Sequence, residues 1–352
     1  MTRFGHARSA SAVVASVIVL CGMAGPAAQQ SRAAGDGGAV VGTGAFTMFV
    51  ENMDRTLAFY QQAFGMTVPP LPASGARPYN PTNPRLFAMF DIPGARERHE
   101  SARAAGVRTN VEVMEVQDVP HRTVALRPQD PGNVSLVLIA RDLDAALAGA
   151  TQAMATVATP GGKPVSLAGG IRAVLIRDLD DRYIELRQPV VPPPAATGTG
   201  NIGDLRVLIA VADMAKTLRL YRDVLGFTVE EETPLAADAG LRALTGVSRA
   251  EVRRSRVQAP GSSLWIELIE YQGVERTPLS MRIQDRGAAR LQVRAQHIDA
   301  LVARVKGAGL TVVTQGGSAV PIPPNFKGAL VADPNNFFLT LIEACDDCAP
   351  RR

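Results

Sequence analysis

The sequence predicts an α+β protein of four strand–helix–strands modules, arranged as two consecutive repeats of two modules each. Three observations carry that prediction. Residues 50–68 read VENMDRTLAFYQQAFGMTV and residues 211–229 read VADMAKTLRLYRDVLGFTV. Val50, Met53, Thr56, Leu57, Tyr60, Gly65, Thr67 and Val68 recur at a constant offset as Val211, Met214, Thr217, Leu218, Tyr221, Gly226, Thr228 and Val229. The later parts of the repeats also correspond: Val111–Glu115 with Ile266–Glu270, Leu143–Ala145 with Ile298–Ala300, and Ala173–Leu186 with Ala329–Leu341. Finally, a strand followed by a helix returns inside each repeat, at Val134–Ala140 with Asp142–Met154 and at Leu291–Ala295 with His297–Ala308.

Each element has a local cause. The apolar runs Phe46–Val50 and Leu205–Val211 read as strands, and Asn52 and Asp213 stand where helix N-caps belong. Leu57, Tyr60 and Phe64, and their counterparts Leu218, Tyr221 and Leu225, form helical stripes. Gly65 and Gly226 supply the left-handed residue that ends a helix. Acidic turns at Arg177–Asp181 and Asp333–Asn336 separate the last two strands of each repeat.

These landmarks place domain 1 at 40–189 and domain 2 at 202–345, joined by a Pro- and Gly-rich linker at 190–201. Residues 29–39 are rich in Gly and Ala and read as disordered, and 346–352 as a tail. Residues 1–28 read as a signal peptide: Arg3 and Arg8, an apolar run from Ala12 to Gly25, then small residues at Ala27 and Ala28. That run is too short to span a bilayer, which takes about 20 residues. The expected location is therefore periplasmic or extracellular, with no stable membrane span in the mature chain. There, Cys345 and Cys348 read as a tail disulfide or two idle thiols. The signal carries two arginines and no acid, and no basic block remains to mark a nucleic-acid partner.

The strand, polar step and Thr56-Leu57-Ala58-Phe59-Tyr60 through Gly65-Met66, with Thr217-Leu218-Arg219-Leu220-Tyr221 through Gly226-Phe227, resemble the opening of the vicinal oxygen chelate superfamily. That superfamily includes glyoxalase I, extradiol dioxygenases and bleomycin-resistance proteins. Asp333-Pro334-Asn335-Asn336 is similar to the family's turn before its last strand. The resemblance covers nearly all of residues 42–343. It implies four βαβββ modules forming two tandem domains, each a curved mixed sheet around a pocket for a small molecule. Internal pairing makes a monomer sufficient, and a homodimer stays open.

The resemblance also implies a divalent metal held by His or Glu from the first and last strands of each module. The matching positions are Ala45, Glu112, Ser135 and Glu185 in domain 1, and Arg206, Glu267, Arg290 and Thr340 in domain 2. Guanidinium groups cannot ligate a metal. No metal is therefore expected in domain 2, and only Glu112 and Glu185 would serve one in domain 1. His99, His121 and His297 fall outside the strand positions and read as surface or structural residues. No cofactor is expected.

Two functions remain open at this stage, beside a purely structural reading in which domain 2 is a degenerate copy that packs on domain 1 and completes its pocket. In the first, Arg206, Glu267, Arg290, Thr340, Trp265 and Gln292 line a pocket for an anionic or aromatic ligand, and the protein binds without a metal. Against it stands plain cross-strand pairing of Arg206 or Arg290 with Glu267. In the second, Glu112 and Glu185 act as metal ligands or general base in a lyase- or dioxygenase-type enzyme. Against that stands simple satisfaction of a carboxylate by Arg187 or Tyr183. The Pro-rich segment 69–84 reads as a connection beside the first pocket.

Overall fold

Strand alternation decides which side chains face which way, and here it sorts them into two cores and two cups. The computed structural model describes residues 37–80, 83–191, 200–323 and 325–345. The expected signal peptide at 1–28, the linker residues 192–199 and the tail with Cys348 lie outside the described residues. Cys345 is disulfide-bonded.

The first module contains β1 (Ala39–Val50), α1 (Met53–Phe64), α2 (Pro84–Phe90), β2 (Arg96–Ala102) and β3 (Val111–Gln117). The second contains β4 (Val134–Ala140), α3 (Leu143–Gln152), β5 (Thr156–Val157), β6 (Val165–Ser166), β7 (Arg172–Arg177) and β8 (Tyr183–Gln188). The third contains β9 (Ile202–Val211), α4 (Met214–Leu218), β10 (Thr228–Glu232), β11 (Ala236–Ala237), α5 (Ala239–Thr245), β12 (Glu251–Gln258) and β13 (Trp265–Gln272). The fourth contains β14 (Ala289–Gln296), α6 (Ile298–Gly307), β15 (Thr311–Val312), β16 (Val320–Ile322), β17 (Phe326–Ala332) and β18 (Phe338–Ala344).

The local signals act as expected. Asn52 and Asp213 accept from the backbone N–H groups of Arg55 and Lys216, at 3.0 and 2.9 Å. Gly65 and Gly226 adopt φ of 64° and 72°. His297 occupies the N-cap position of α6 without a capping bond from its side chain. Glu343 accepts from the N–H groups of His297 and Ile298 instead. The expected disorder of 29–39 does not reach its last residues. Ala39 opens β1, and Arg304 Nη1 donates to the carbonyls of Gly37 and Gly38 at 2.9 and 3.0 Å.

The sheets do not follow the two sequence repeats. Sheet 1 runs β15-β17-β18-β14-β1-β3-β2, joining the first module to the fourth. Sheet 2 runs β10-β12-β13-β9-β4-β8-β7-β5, joining the second to the third. The seams are antiparallel: Thr47 lies opposite Arg290 in β1–β14, and Leu136 opposite Val207 in β4–β9. Both sheets are mixed and curled. Each sheet, and so the floor of each cup, draws on both sequence repeats rather than on one. A first strand is the inner edge of its own module, and its ladder partner is the first strand of a module from the other repeat.

One face of each sheet carries α1, α3, α4 and α6. Leu57, Tyr60, Leu143, Leu218 and Leu301 pack there with Val113, Leu186, Val207 and Leu291. The short helices α2 and α5 enter the opposite, concave faces. Phe87, Met89 and Phe90 from α2, and Leu241 and Leu244 from α5, pack there with Phe49, Met114, Ile269 and Phe338.

The connectors between modules lock the two repeats together reciprocally. Asp130 pairs with Arg127 and accepts from the N–H of Thr277 at 2.8 Å. Asp285 pairs with Arg282 and accepts from the N–H of Arg122 at 2.9 Å. Asp285 is fully buried and also takes the Arg122 guanidinium at 2.7 Å. Burial pushes its pKa up, but the Arg282 and Arg122 hydrogen bonds prevail and hold it at about 2. A depressed carboxylate contributes stability that is present above its unfolded pKa and is lost as pH falls through its folded one. Asp285→Ala is expected to cost about 3 kcal/mol in urea unfolding at neutral pH. Asp285→Asn should lack the part of the acid-induced stability loss that the parent shows below about pH 4.

A candidate ligand site in the second cup

Apolar residues of the inner strands face the helix-covered core, so the residues between them face the cups. Val111 and Val113 are core, which turns Glu112 into the first cup. Ile184 and Leu186 do the same for Glu185, and Ile266 and Leu268 for Glu267, in the second. The eight positions implied by the resemblance therefore regroup. Ala45, Glu112, Arg290 and Thr340 belong to sheet 1; Ser135, Glu185, Arg206 and Glu267 belong to sheet 2. Glu112 and Glu185 do not share a site, which corrects their pairing as two ligands or catalytic groups of one pocket. The expected set Arg206, Glu267, Trp265 with Arg290, Thr340, Gln292 is likewise split between the sheets.

In the first cup Arg290 is the centre. Its Nη2 donates to Glu112 Oε2 at 2.9 Å and its Nη1 to Thr340 Oγ1 at 3.0 Å. Thr47 Oγ1 donates to the same Glu112 oxygen at 2.6 Å. The guanidinium lies 4.9 Å from the ring centre of Phe90, so α2 closes the cup over it. Burial draws the Arg290 pKa down, against the pull of Glu112. Gln292 packs on Gly44, where an added Cβ would come within 2.6 Å of its Oε1. Phe87, Met89 and Phe90 fill the interior.

The sequence reading missed a polar group at the edge of this cup. His99 Nδ1 lies 2.9 Å from Glu97 Oε2, and Asn80 donates to Glu97 Oε1 at 2.9 Å. Burial alone would raise the Glu97 pKa, but His99, Asn80 and Arg290 hold it down. The bond to Glu97 raises that of His99. Alternation of Glu97, His99 and Ser101 inside the charged run was the available signal.

The second cup is hollow. A cavity of about 850 Å³ lies between sheet 2, the Ser166–Ile171 loop and the segment from Glu231 to Leu241. Its floor carries a chain of ion pairs. Arg187 Nε donates to Glu185 Oε1 at 2.6 Å, and Arg187 Nη1 donates to Glu267 Oε2 at 2.8 Å. Arg206 Nη1 donates to Glu267 Oε1 at 3.1 Å and its Nε to Asp204 at 3.2 Å. Burial favours protonated Glu267, but Arg187 and Arg206 outweigh it and hold its pKa below the usual range. Burial works against the Arg187 charge, yet Glu185 and Glu267 raise its pKa. The expected ties of Arg206 to Glu267 and of Arg187 to Glu185 both exist; no bond joins Arg290 to Glu267, which lie in different cups. Trp265 lies beyond the cavity lining, with the Arg256 guanidinium 5.3 Å from its ring.

The cups differ because their entering helices differ. α2 reads PRLFAMF and α5 reads AGLRALT. Two phenylalanines and a methionine fill one cup, whereas alanines, glycine and leucines leave room in the other. Gly240 is required there: a Cβ would meet the Ser166 carbonyl at 2.7 Å.

The residues do not fit a divalent metal. Such an ion needs several converging anionic or neutral donors. In the second cup a guanidinium already bridges Glu185 and Glu267, and a second lies beside them. In the first, Arg290 lies between Glu112 and Thr340. Among the described residues no three His, Cys, Asp or Glu side chains are grouped to hold a metal.

Residues 205–322 match the sequence model of the Glyoxalase/Bleomycin resistance protein/Dioxygenase superfamily. This stretch belongs to that superfamily. Solved structures extend the glyoxalase fold over most of the chain. Glyoxalase I from Zea mays superposes with a TM-score of 0.55 at 15% identity, over 87% of this chain and 92% of that one. A putative dioxygenase from Bacillus subtilis subsp. subtilis str. 168 gives 0.53 at 11%, over 87% and 86%. At such identities the likeness carries the fold alone. No curated protein matches the sequence.

Arg187→Ala would leave Glu185 and Glu267 without their bridge, and should cost about 3–5 kcal/mol at neutral pH. Burial of Glu267 is then opposed by Arg206 without Arg187, so its pKa rises. The variant should be closest to the parent in acid and lose ground as pH rises, read from Tm across a pH series.

Proposed function

We propose that the chain is an exported, metal-independent binding protein of the glyoxalase fold, and that it holds a small molecule in the second cup. The observation that carries this reading is the 850 Å³ cavity over a floor whose carboxylates are already neutralised by Arg187 and Arg206. Its size suits a small organic ligand. Leu167, Ile171, Leu208, Pro234 and Val252 give it apolar walls. Arg206 Nη2 has no acceptor among the described residues, so a carboxylate or phenolate end fits against it. The ligand class is an apolar body with one acidic end. Export rests on the basic and apolar start of the sequence, with the disulfide at Cys345 in accord.

The test is calorimetric titration of the purified chain with aliphatic and aromatic carboxylates. Arg206→Ala should weaken the best of them about tenfold or more, the loss of one charge-assisted hydrogen bond. Unchanged affinity removes Arg206 from the site. Dialysis against a chelator should leave both affinity and Tm unchanged. A loss of either that a divalent metal restores would return the second cup to metal chemistry.

A further inference from the structure

Deeper in the second cup, beneath α5 and beside Glu185, lies a smaller chamber. It is lined by Asn133, Ser135, Glu185 and Tyr271 among Leu175, Leu208, Ala210, Leu241 and Ile269. Glu185, Leu208, Leu241 and Ile269 also line the main cavity, so the two spaces share a wall. Its volume of about 10 Å³ is that of one water-sized group.

The polar groups around it are buried and short of partners. Asn133 is 3% exposed, and its side-chain oxygen has no hydrogen bond. Tyr271 is 2% exposed and Ser135 3%. Neither hydroxyl bonds to another group among the described residues. Glu185 uses one oxygen for Arg187, which leaves the other free. Burial, followed by the nearby Glu185 charge, raises the Tyr271 pKa and keeps its proton in place. A buried polar atom without a partner costs about 1–3 kcal/mol, and the orphaned Asn133 oxygen shares this small space with two unbonded hydroxyls and the second Glu185 oxygen, which together point to an occupant.

Resting on the binding reading above, we infer that the chamber is a subsite for a hydroxyl group of the ligand, inserted past Glu185. A hydroxyl both donates and accepts. It can donate to Glu185 or to the Asn133 oxygen while accepting from the Tyr271 hydroxyl. A second carboxylate would face Glu185 at close range. An ammonium would have acceptors but would duplicate the charge that Arg187 already supplies. A methyl group fits by size and satisfies nothing. The ligand class therefore becomes a hydroxy acid with an apolar middle, its acidic end toward Arg206 and its hydroxyl in the chamber.

The experiment compares ω-hydroxydecanoate and its shorter homologues with the parent alkanoates and the matching ω-amino acids, by titration calorimetry on the whole chain. At the length that spans the cavity, the hydroxy acid should bind at least about tenfold tighter than its parent, the worth of one well-made buried hydrogen bond. Tyr271→Phe should erase that advantage while leaving the parent acid's affinity in place; the substitution breaks no internal hydrogen bond. Parent acids that bind without any hydroxyl advantage overturn the subsite and leave the binding reading standing. So does an advantage that survives Tyr271→Phe. A gain for the ω-amino acids instead assigns the chamber to ammonium and overturns the hydroxyl. If no parent acid binds, the carboxylate reading of the cavity fails, and the subsite with it.

Discussion

The antiparallel seams between first strands govern everything built on this chain. β1 runs against β14 and β4 against β9, so each curved sheet takes one module from each repeat. The pairing decides which carboxylate meets which arginine. It brings Glu112 to Arg290 across 178 positions of sequence and Glu267 to Arg187 across 80. It also fixes which entering helix faces which floor, and hence which cup is open. The reciprocal clasps at Asp130 and Asp285 hold the connectors that make this exchange possible.

Within that frame, both cups answer the same electrostatic demand. Carboxylates buried on a concave sheet need a compensating cation or they lose their charge. A guanidinium supplies it in each case, but not from equivalent places. Arg290 stands on a strand of the fourth module, opposite its carboxylate; Arg187 stands two residues beyond one of its partners, on the same strand. Fixed on the protein, these cations neither dissociate nor leave an open coordination position for a substrate. What remains for chemistry in the second cup is shape, apolar wall and the spare donors of Arg206.

Much of the fold was legible in the sequence because it depends on local signals. Asn52, Asp213, Gly65, Gly226 and the stripes through Tyr60 and Tyr221 act within a few residues of themselves. The pocket positions were legible too, since alternation about Val113, Leu186, Val207 and Leu291 turns their neighbours inward. Their grouping was not. A repeat shows what a module looks like and is silent on which module it pairs with, so Glu112 and Glu185 seemed companions. Arg187 could be named as a neighbour of Glu185 from the period of the strand, whereas its reach to Glu267 depends on the β4–β9 seam. Asn133 and Tyr271 carry no motif at all. Their significance lies in bonds they do not make, which only packing reveals.

The plug of Phe87, Met89 and Phe90 has a consequence for the other half of the molecule. Each such side chain, buried, stabilises a fold by about 1.5–3 kcal/mol. A ligand-sized hollow forgoes contacts of that kind and leaves its lining under-packed. In a protein with one cup, vacancy and solidity compete for the same residues. Here they are assigned to different sheets: the first cup acts as a keel, and the second can keep its hollow without the whole body losing its margin against unfolding.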